Sequence, residues 1–427
     1  MARRIHVLFL SAGGGMGADT AVHVSLARVL DRSQVRVSAA TRLSEARGGA
    51  SAPEGFEGIP DLTILPLEFG QTLLRQRGLG RATTLVRNVR GITSLVSLVR
   101  WCRANEVDLI HVTERPRQML LGLLLARMAG CACVVHAHTS YNPDDATALA
   151  NWSLRHADAV VGVSHFTTST YRDRANLSPG RVFTVHNGVD GQIFRPEPAS
   201  RDRIAMRDRL GLPPDVPVIG CVARLMRWKG QAILLEAFVL VREIHPQARL
   251  VLAGLAMDSS PDGRGDYRDY LMRRIAALGL GDAVTLPGYL PRSEMPQFYA
   301  ALDVLAHPAI EEPFGLAVVE AMACSRPVVA ANGGGIPEII RDGVDGLLVP
   351  VNQPEPMAKA ISRVFGDPSF TRQLATTARE HVLETFTPEI QAAEMLMVYR
   401  QVMKRTSASR LRGQPTLTHA PTVRPFR

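Results

Sequence analysis

Two successive series of short apolar runs, each alternating with longer helix-period segments, constrain this chain more than any other feature. The first half offers IHVLFL, DLIHV, ACVVHAH, DAVVGVS and VFTVHN; the second offers VPVIGCVAR, RLVLAG, AVTLPG, DVLAHP, RPVVAA and GLLVP. Runs that are apolar at successive positions are strands covered on both faces. Strand–helix alternation predicts parallel, doubly wound α/β sheets. Two series therefore predict two Rossmann-like domains, and 427 residues exceed what one ordinary core accommodates.

The break falls after His186-Asn187-Gly188-Val189-Asp190, where the polar stretch FRPEPASRDR and then GLPPDVP intervene. This places a first domain at 1–186, a linker at 187–215 and a second domain at 216–386. A helix is expected at 387–405, crossing back to the first domain. The tail at 406–427 lacks apolar periodicity and reads as disordered. The opening MARRIHVLFLSAGGG has a basic start and a short apolar run, but that run ends in glycines. A first buried strand entering a turn fits it better than a signal peptide.

The formal net charge of +9 is unevenly spread. Residues 71–105 hold seven arginines and no acid, residues 404–427 hold six lysines or arginines and no acid, and the rest is mildly acidic. That distribution argues against a nucleic-acid protein and points to local attraction for phosphates, acidic headgroups or a partner. Within 82–104, Leu85, Val89, Ile92, Val96 and Val99 recur at helical spacing beside Arg87, Arg90, Arg100 and Arg103. Such a helix either packs on the first sheet or docks on an anionic membrane surface. Five scattered cysteines argue against a disulfide framework and for a reducing cytoplasm. The expected location is cytoplasmic, at the inner face of the cell membrane if the basic segments dock there.

The segment richest in chemistry is HPAIEEPFGLAVVEAMACSRPVVAANGGGIPEIIRDGVDGLLVP, from His307 to Pro350. A strand ends in a loop holding Glu311, Glu312 and Gly315, and a helix follows. The N–H groups of Phe314, Gly315 and Leu316 then sit at a helix N-terminus, where backbone donors and the helix dipole bind phosphate. Glu312 precedes the turn and Glu320 lies on the helix; carboxylates of this kind accept hydrogen bonds from hydroxyl-rich ligands. Arg224 and Lys229, in CVARLMRWKG, follow a strand at the edge where open α/β sheets bind ligands, and supply positive charge for a diphosphate. No Asp-x-Asp placement demands a metal.

Residues 216–350 resemble the donor-binding domain of family 4 glycosyltransferases, of the GT-B fold. The resemblance rests on ARL…KG, LPGYL, the Glu312–Glu320 pair with seven residues between, EAMA, PVVA, GG-x-PE and DG-x-x-GLLV. It implies that Arg224 and Lys229 hold the donor diphosphate, that Glu312 binds sugar hydroxyls where transfer occurs, and that Glu320 binds the ribose. The first half resembles the family's acceptor domain. GGGMGADTAVHVSLARVL matches its glycine loop and first helix, with Gly15 and Gly17 approaching the donor phosphates and Asp19 and Thr20 where an acid is usual. HAHTS matches the segment carrying a sugar-contacting histidine: His138, or His136 two residues earlier. Ala223, Ser325 and His307-Pro308-Ala309 depart from the usual residues without removing a charged contact.

The resemblance implies a retaining, metal-independent enzyme with no cofactor. Its partners would be a nucleotide-diphosphate sugar, on uridine or guanosine, and a glycan or lipid-linked acceptor, in cell-envelope polysaccharide or glycolipid synthesis. The alternatives are another GT-B enzyme, such as a nucleotide-sugar epimerase or sugar phosphorylase, and a non-catalytic nucleotide-sugar-binding scaffold.

Overall fold

A computed structural model describes residues 3–11, 18–42, 52–67, 93–142, 147–196 and 200–412. It contains two parallel sheets. The first holds seven strands: β1 (Ile5–Ser11), β2 (Val35–Arg42), β3 (Thr63–Leu67), β4 (Leu109–Thr113), β5 (Ala132–Ala137), β6 (Ala159–Gly162) and β7 (Val182–Thr184), in the order β3-β2-β1-β4-β5-β6-β7. The second holds six: β8 (Val218–Val222), β9 (Arg249–Ala253), β10 (Val284–Gly288), β11 (Val304–His307), β12 (Val328–Ala331) and β13 (Leu347–Val349), ordered β10-β9-β8-β11-β12-β13.

In both sheets the strand order reverses beside the first strand of the series, opening a crevice between β1 and β4 and between β8 and β11. Ligands of open α/β sheets bind outside the carboxyl ends of strands at such a switch point. The apolar runs read from the sequence form the strands around both switch points. The central strands are buried along their length, and β4 (LIHVT) and β12 (VVAA) are buried at every residue.

Two expectations require correction and a third is met over its described residues. The 187–215 linker carries a helix, Ser200–Arg209, that belongs to the second domain. Its Arg207 is 1% exposed and reaches the carbonyls of Ala301 and Val216 and the carboxylate of Asp303. A helix so rich in charge hides its packing face from a periodicity reading. The C-terminal helix runs over Pro388–Arg412, past residue 405 and into the segment assigned to a tail; 413–427 lie outside the described residues. Its Ala392, Met395, Val398, Tyr399 and Val402 join the core formed by β1 and the helix Ala18–Val29. Finally, the arginine-rich segment is helical over 93–104 and buries Leu98, Val99 and Cys102, while Val96 is 36% exposed. Of the expected stripe's described residues, Val99 is thus buried and Val96 lies at the exposed margin of the packed face. Arg100 and Arg103 are exposed, and Leu85, Arg87, Val89, Arg90 and Ile92 lie outside the described residues.

No helix among the described residues is long and apolar enough to cross a membrane. All five cysteines are buried.

Candidate active site

The second domain builds one wall of a cleft from the loops after β8 and β11. The Ile310 N–H donates to the Trp228 carbonyl at 2.8 Å and ties the loops together. This sets the Lys229 ammonium against the Glu312 carboxylate in a buried ion pair. His307 Nε2 meets the same Glu312 oxygen at 2.9 Å, and the Lys229 ammonium lies 4.1 Å from the Trp228 ring centroid. Burial alone raises a carboxyl pKa; here Lys229 and His307 overcome it, and Glu312 is held down at about 2.

The Glu312 loop owes its shape to the glycines of ANGGGIPE. Gly334 has φ +64°, and a Cβ there would lie 2.2 Å from the Glu312 carbonyl oxygen, so only glycine fits. Gly335 N–H then donates to that carbonyl at 2.7 Å. Gly315, with φ +116°, precedes the helix Leu316–Ala323. Phe314, Gly315, Leu316 and Ala317 line the cleft, so the helix opens its N-terminal turn onto it.

Glu320 sits on the same helix but is not among the residues lining this cleft. Its carboxylate accepts from Tyr299 Oη at 2.9 Å and pairs with Arg292 at 2.8 Å. Burial raises its pKa, and Arg292 opposes the rise. Arg224 is exposed and lines the cleft beside Lys229.

The opposite wall comes from the first domain. His138, just beyond β5, lines the same cavity of about 200 Å³ as Lys229 and Glu312. A second cavity of about 480 Å³ adjoins it, lined by Asp19, Glu114, Arg115, Tyr141 and others, and sharing His138, Thr139 and Arg224 with the first. Arg224 and His138 thus stand where the two cavities meet. His136, the other candidate histidine, is fully buried and lines neither. Gly15 and Gly17 lie outside the described residues.

The first domain's site groups are held differently. Asp19 pairs with Arg115 at 2.9 Å, and although burial raises its pKa, Arg115 and the neighbouring histidines bring it below the ordinary value. Burial drives His138 down to about 4 and His23 to about 3, with His111 and His136 well below their ordinary value. Glu114 follows β4, its Oε1 accepting from Thr139 Oγ1 at 3.0 Å and its Oε2 buried. Burial, with Asp19 adding repulsion, pushes it up to about 7. Glu114 escaped the sequence reading, although an acid one residue past a switch-point strand is a usable signal.

The two walls are clasped beside the cleft. The Glu338 carboxylate accepts from the N–H groups of His165 and Phe166 at 2.7 and 2.9 Å and contacts His186 Nε2 at 2.9 Å. It thereby caps the N-terminus of the helix His165–Arg174 from the other domain. Ser164 and Thr167 of that helix turn both donate to the Pro313 carbonyl, one residue from Glu312.

Comparison with known proteins fits this arrangement. Residues 202–381 match the model described as glycosyl transferases group 1, and residues 21–192 match glycosyltransferase family 4. The chain belongs to the group 1, family 4-type glycosyltransferases of the GT-B fold. It is 34% identical over 227 residues to a D-inositol 3-phosphate glycosyltransferase of Streptomyces bingchenggensis, covering 53% of this chain and 49% of that one. A protein of the same name from Mycolicibacterium gilvum is 39% identical over 196 residues, covering 45% and 41%. The matched region thus spans about half the length of these relatives. Among solved structures, Anabaena HepE in complex with UDP and glucose superposes with a TM-score of 0.73 at 24% identity, covering 95% of this chain and all of that one. Sucrose-phosphate synthase of Thermosynechococcus elongatus gives 0.71 at 24% identity, covering 94% and 100%. These likenesses establish the shared two-domain architecture for this glycosyltransferase-family chain.

Proposed function

We propose that this chain transfers a sugar from a uridine diphosphate donor to a hydroxyl of a polyol or glycan acceptor, with retention of anomeric configuration. The observation that carries the reading is the buried Lys229–Glu312 pair, facing His138 across the cleft with Arg224 between the two cavities. The UDP complex of the HepE protein and the sugar-transferring relatives support the donor class.

The smaller cavity would take the donor's diphosphate and sugar, and the larger one the acceptor. As the bond between the anomeric carbon and the diphosphate oxygen breaks, its electron pair passes to that oxygen. Arg224, Lys229 and the helix N-terminus after Gly315 stabilise the growing negative charge. The acceptor hydroxyl attacks the same face, and its proton passes to the departing phosphate oxygen. No metal enters this scheme. Glu312 and His138 orient the sugar hydroxyls. Glu114, raised to about 7 so that it carries its proton below neutrality, holds the acceptor by hydrogen bonds on the far side of His138. A hydroxylated ring suits a cavity walled by Asp19, Glu114, Arg115 and Tyr141, and a place in cell-envelope polysaccharide or glycolipid synthesis suits such a transfer.

The test is incubation with UDP-sugars and hydroxylated acceptors, with the product's anomeric configuration read by NMR. Retention of the donor's configuration supports the proposal. An inverted product, or donor epimerised without any acceptor, overturns it.

A further inference from the structure

The first domain buries three histidines from three separate elements around one point. His23 lies on the helix Ala18–Val29, His111 on β4 and His136 on β5. Each offers a ring nitrogen within 4.8 Å of the others, and all three side chains are buried. His111 pairs with Val134 in the sheet, and His136 stands two residues further along the same strand, so both rings rise from one face. Five of their nitrogens have no hydrogen-bond partner: both of His23, both of His136 and Nε2 of His111. Buried polar atoms are almost always satisfied, and a group of exceptions calls for an explanation such as an ion.

The remaining nitrogen is engaged as a metal ligand's second nitrogen usually is. His111 Nδ1 meets Tyr399 Oη at 2.6 Å. Such an outer partner fixes the ring and leaves Nε2 to face the cluster. Imidazole nitrogens suit zinc-like transition ions, whereas calcium and magnesium prefer oxygen.

We propose that His23, His111 and His136 form a binding site for one divalent transition ion of the zinc class, tying the helix Ala18–Val29 to the sheet beneath the C-terminal helix. Ligation satisfies one nitrogen of each ring. Zinc–nitrogen bonds of about 2.0–2.1 Å place ligand nitrogens about 3.3 Å apart in a tetrahedron, so the rings close slightly on binding. The site is separate from the scheme for transfer, in which no ion takes part. It lies behind His138, whose ring centroid is 4.2 Å from that of His136, and so sets the position of the residue between the two cavities.

The experiment reads metal, not sugar transfer, so its outcome is independent of the transferase reading. The full chain is stripped with chelator and titrated with zinc by calorimetry and with cobalt by visible absorption; retained zinc is counted after gel filtration. The expected result is one zinc per chain and the intense visible bands of tetrahedral cobalt. His23→Ala and His136→Ala should abolish retention, with circular dichroism confirming the fold. Tyr399→Phe, which keeps the ring and its packing, should weaken binding about tenfold or more. His165→Ala should change nothing, because His165, His186 and Glu338 form the other three-donor group among the described residues. No zinc retained by the unmodified chain overturns the proposal. So does binding that survives both histidine substitutions, or that is lost in His165→Ala. If the two alanine variants do not fold, unchanged affinity in Tyr399→Phe overturns it.

Discussion

The two domains share one topology but manage buried polar groups in opposite ways. The second domain pairs its charges: Lys229 with Glu312 in the cleft, where His307 adds a hydrogen bond, and Arg292 with Glu320 outside it, where Tyr299 donates a second. The first domain holds four histidines that burial keeps unprotonated and Glu114 pushed up to about 7, alongside the paired Asp19 and Arg115. The contrast suits the two kinds of ligand proposed for the cleft. A diphosphate needs positive charge, which Arg224, Lys229 and the helix N-terminus after Gly315 offer, while Glu312, held down at about 2, stays ionised across physiological pH and keeps Lys229 in place. An acceptor hydroxyl needs hydrogen-bonding groups that do not attract ions, and a protonated carboxyl is one of these.

Breaking the paired wall should have the largest effect. Lys229→Ala leaves Glu312 buried without its cation, and Glu312→Ala removes the proposed sugar contact. Each should lower kcat/KM by about a thousandfold, or ~4 kcal/mol of transition-state stabilisation. Lys229→Ala should also cost about 3–5 kcal/mol of stability, because one partner of a buried pair is lost. Steady-state kinetics and thermal unfolding check both, and wild-type rates in either variant would remove the site assignment.

The neutral wall should respond to pH where the paired wall does not. Glu114 has a folded pKa above its unfolded value, so the folded state binds the extra proton between about 4.5 and 7. Stability from this group is therefore present at low pH and lost as pH rises through that window, by about 3 kcal/mol. Glu312 has the opposite sign: its contribution is present above its unfolded pKa and lost only as pH falls through about 2. Denaturant titrations from pH 5 to 8 should show wild type losing stability relative to Glu114→Gln as pH rises, because the buried histidines, whose depressed pKa values add stability as pH rises, act alike in both and cancel in the difference. An equal slope in both would mean that Glu114 is not the group responsible.

Smaller effects should come from the joint between the walls. Glu338→Gln replaces a charged cap with a neutral one and should cost about 1–2 kcal/mol while raising the KM for donor, because the clasp adjoins the Glu312 loop. An unchanged KM would separate the clasp from the site. Tyr299→Phe removes one hydrogen bond to Glu320 and should cost about 1 kcal/mol in unfolding experiments, with little change in transfer.

How much of this was legible in the sequence follows the same division. The second-domain wall is local: Arg224 and Lys229 share one loop, Glu312 through Leu316 another, and each follows an apolar strand. The first-domain wall is assembled across distance. His23, His111 and His136 come from three elements, and no spacing announces that they meet. β2 and β3 escaped notice because VRVSAATR mixes arginines and small polar residues, and because Pro66 interrupts TILPL at the sheet edge. The triple glycine at 333–335 was visible as a motif, but its reason lies in the backbone of Glu312, which only the fold brings alongside. Glu320 shows the reverse case. Its place on the helix was foreseen, yet Tyr299 and Arg292 occupy its carboxylate.

The most direct test of the central claim, a nucleoside diphosphate held by the paired wall, is calorimetric titration of UDP into the wild-type chain and into Lys229→Ala. Micromolar or tighter binding to wild type, weakened at least about a hundredfold in the variant, is the predicted result, since about 2.7 kcal/mol is a modest share of a buried charged contact. Equal UDP affinity in the two proteins, or no binding to a folded wild type by UDP or any other nucleoside diphosphate, would contradict it.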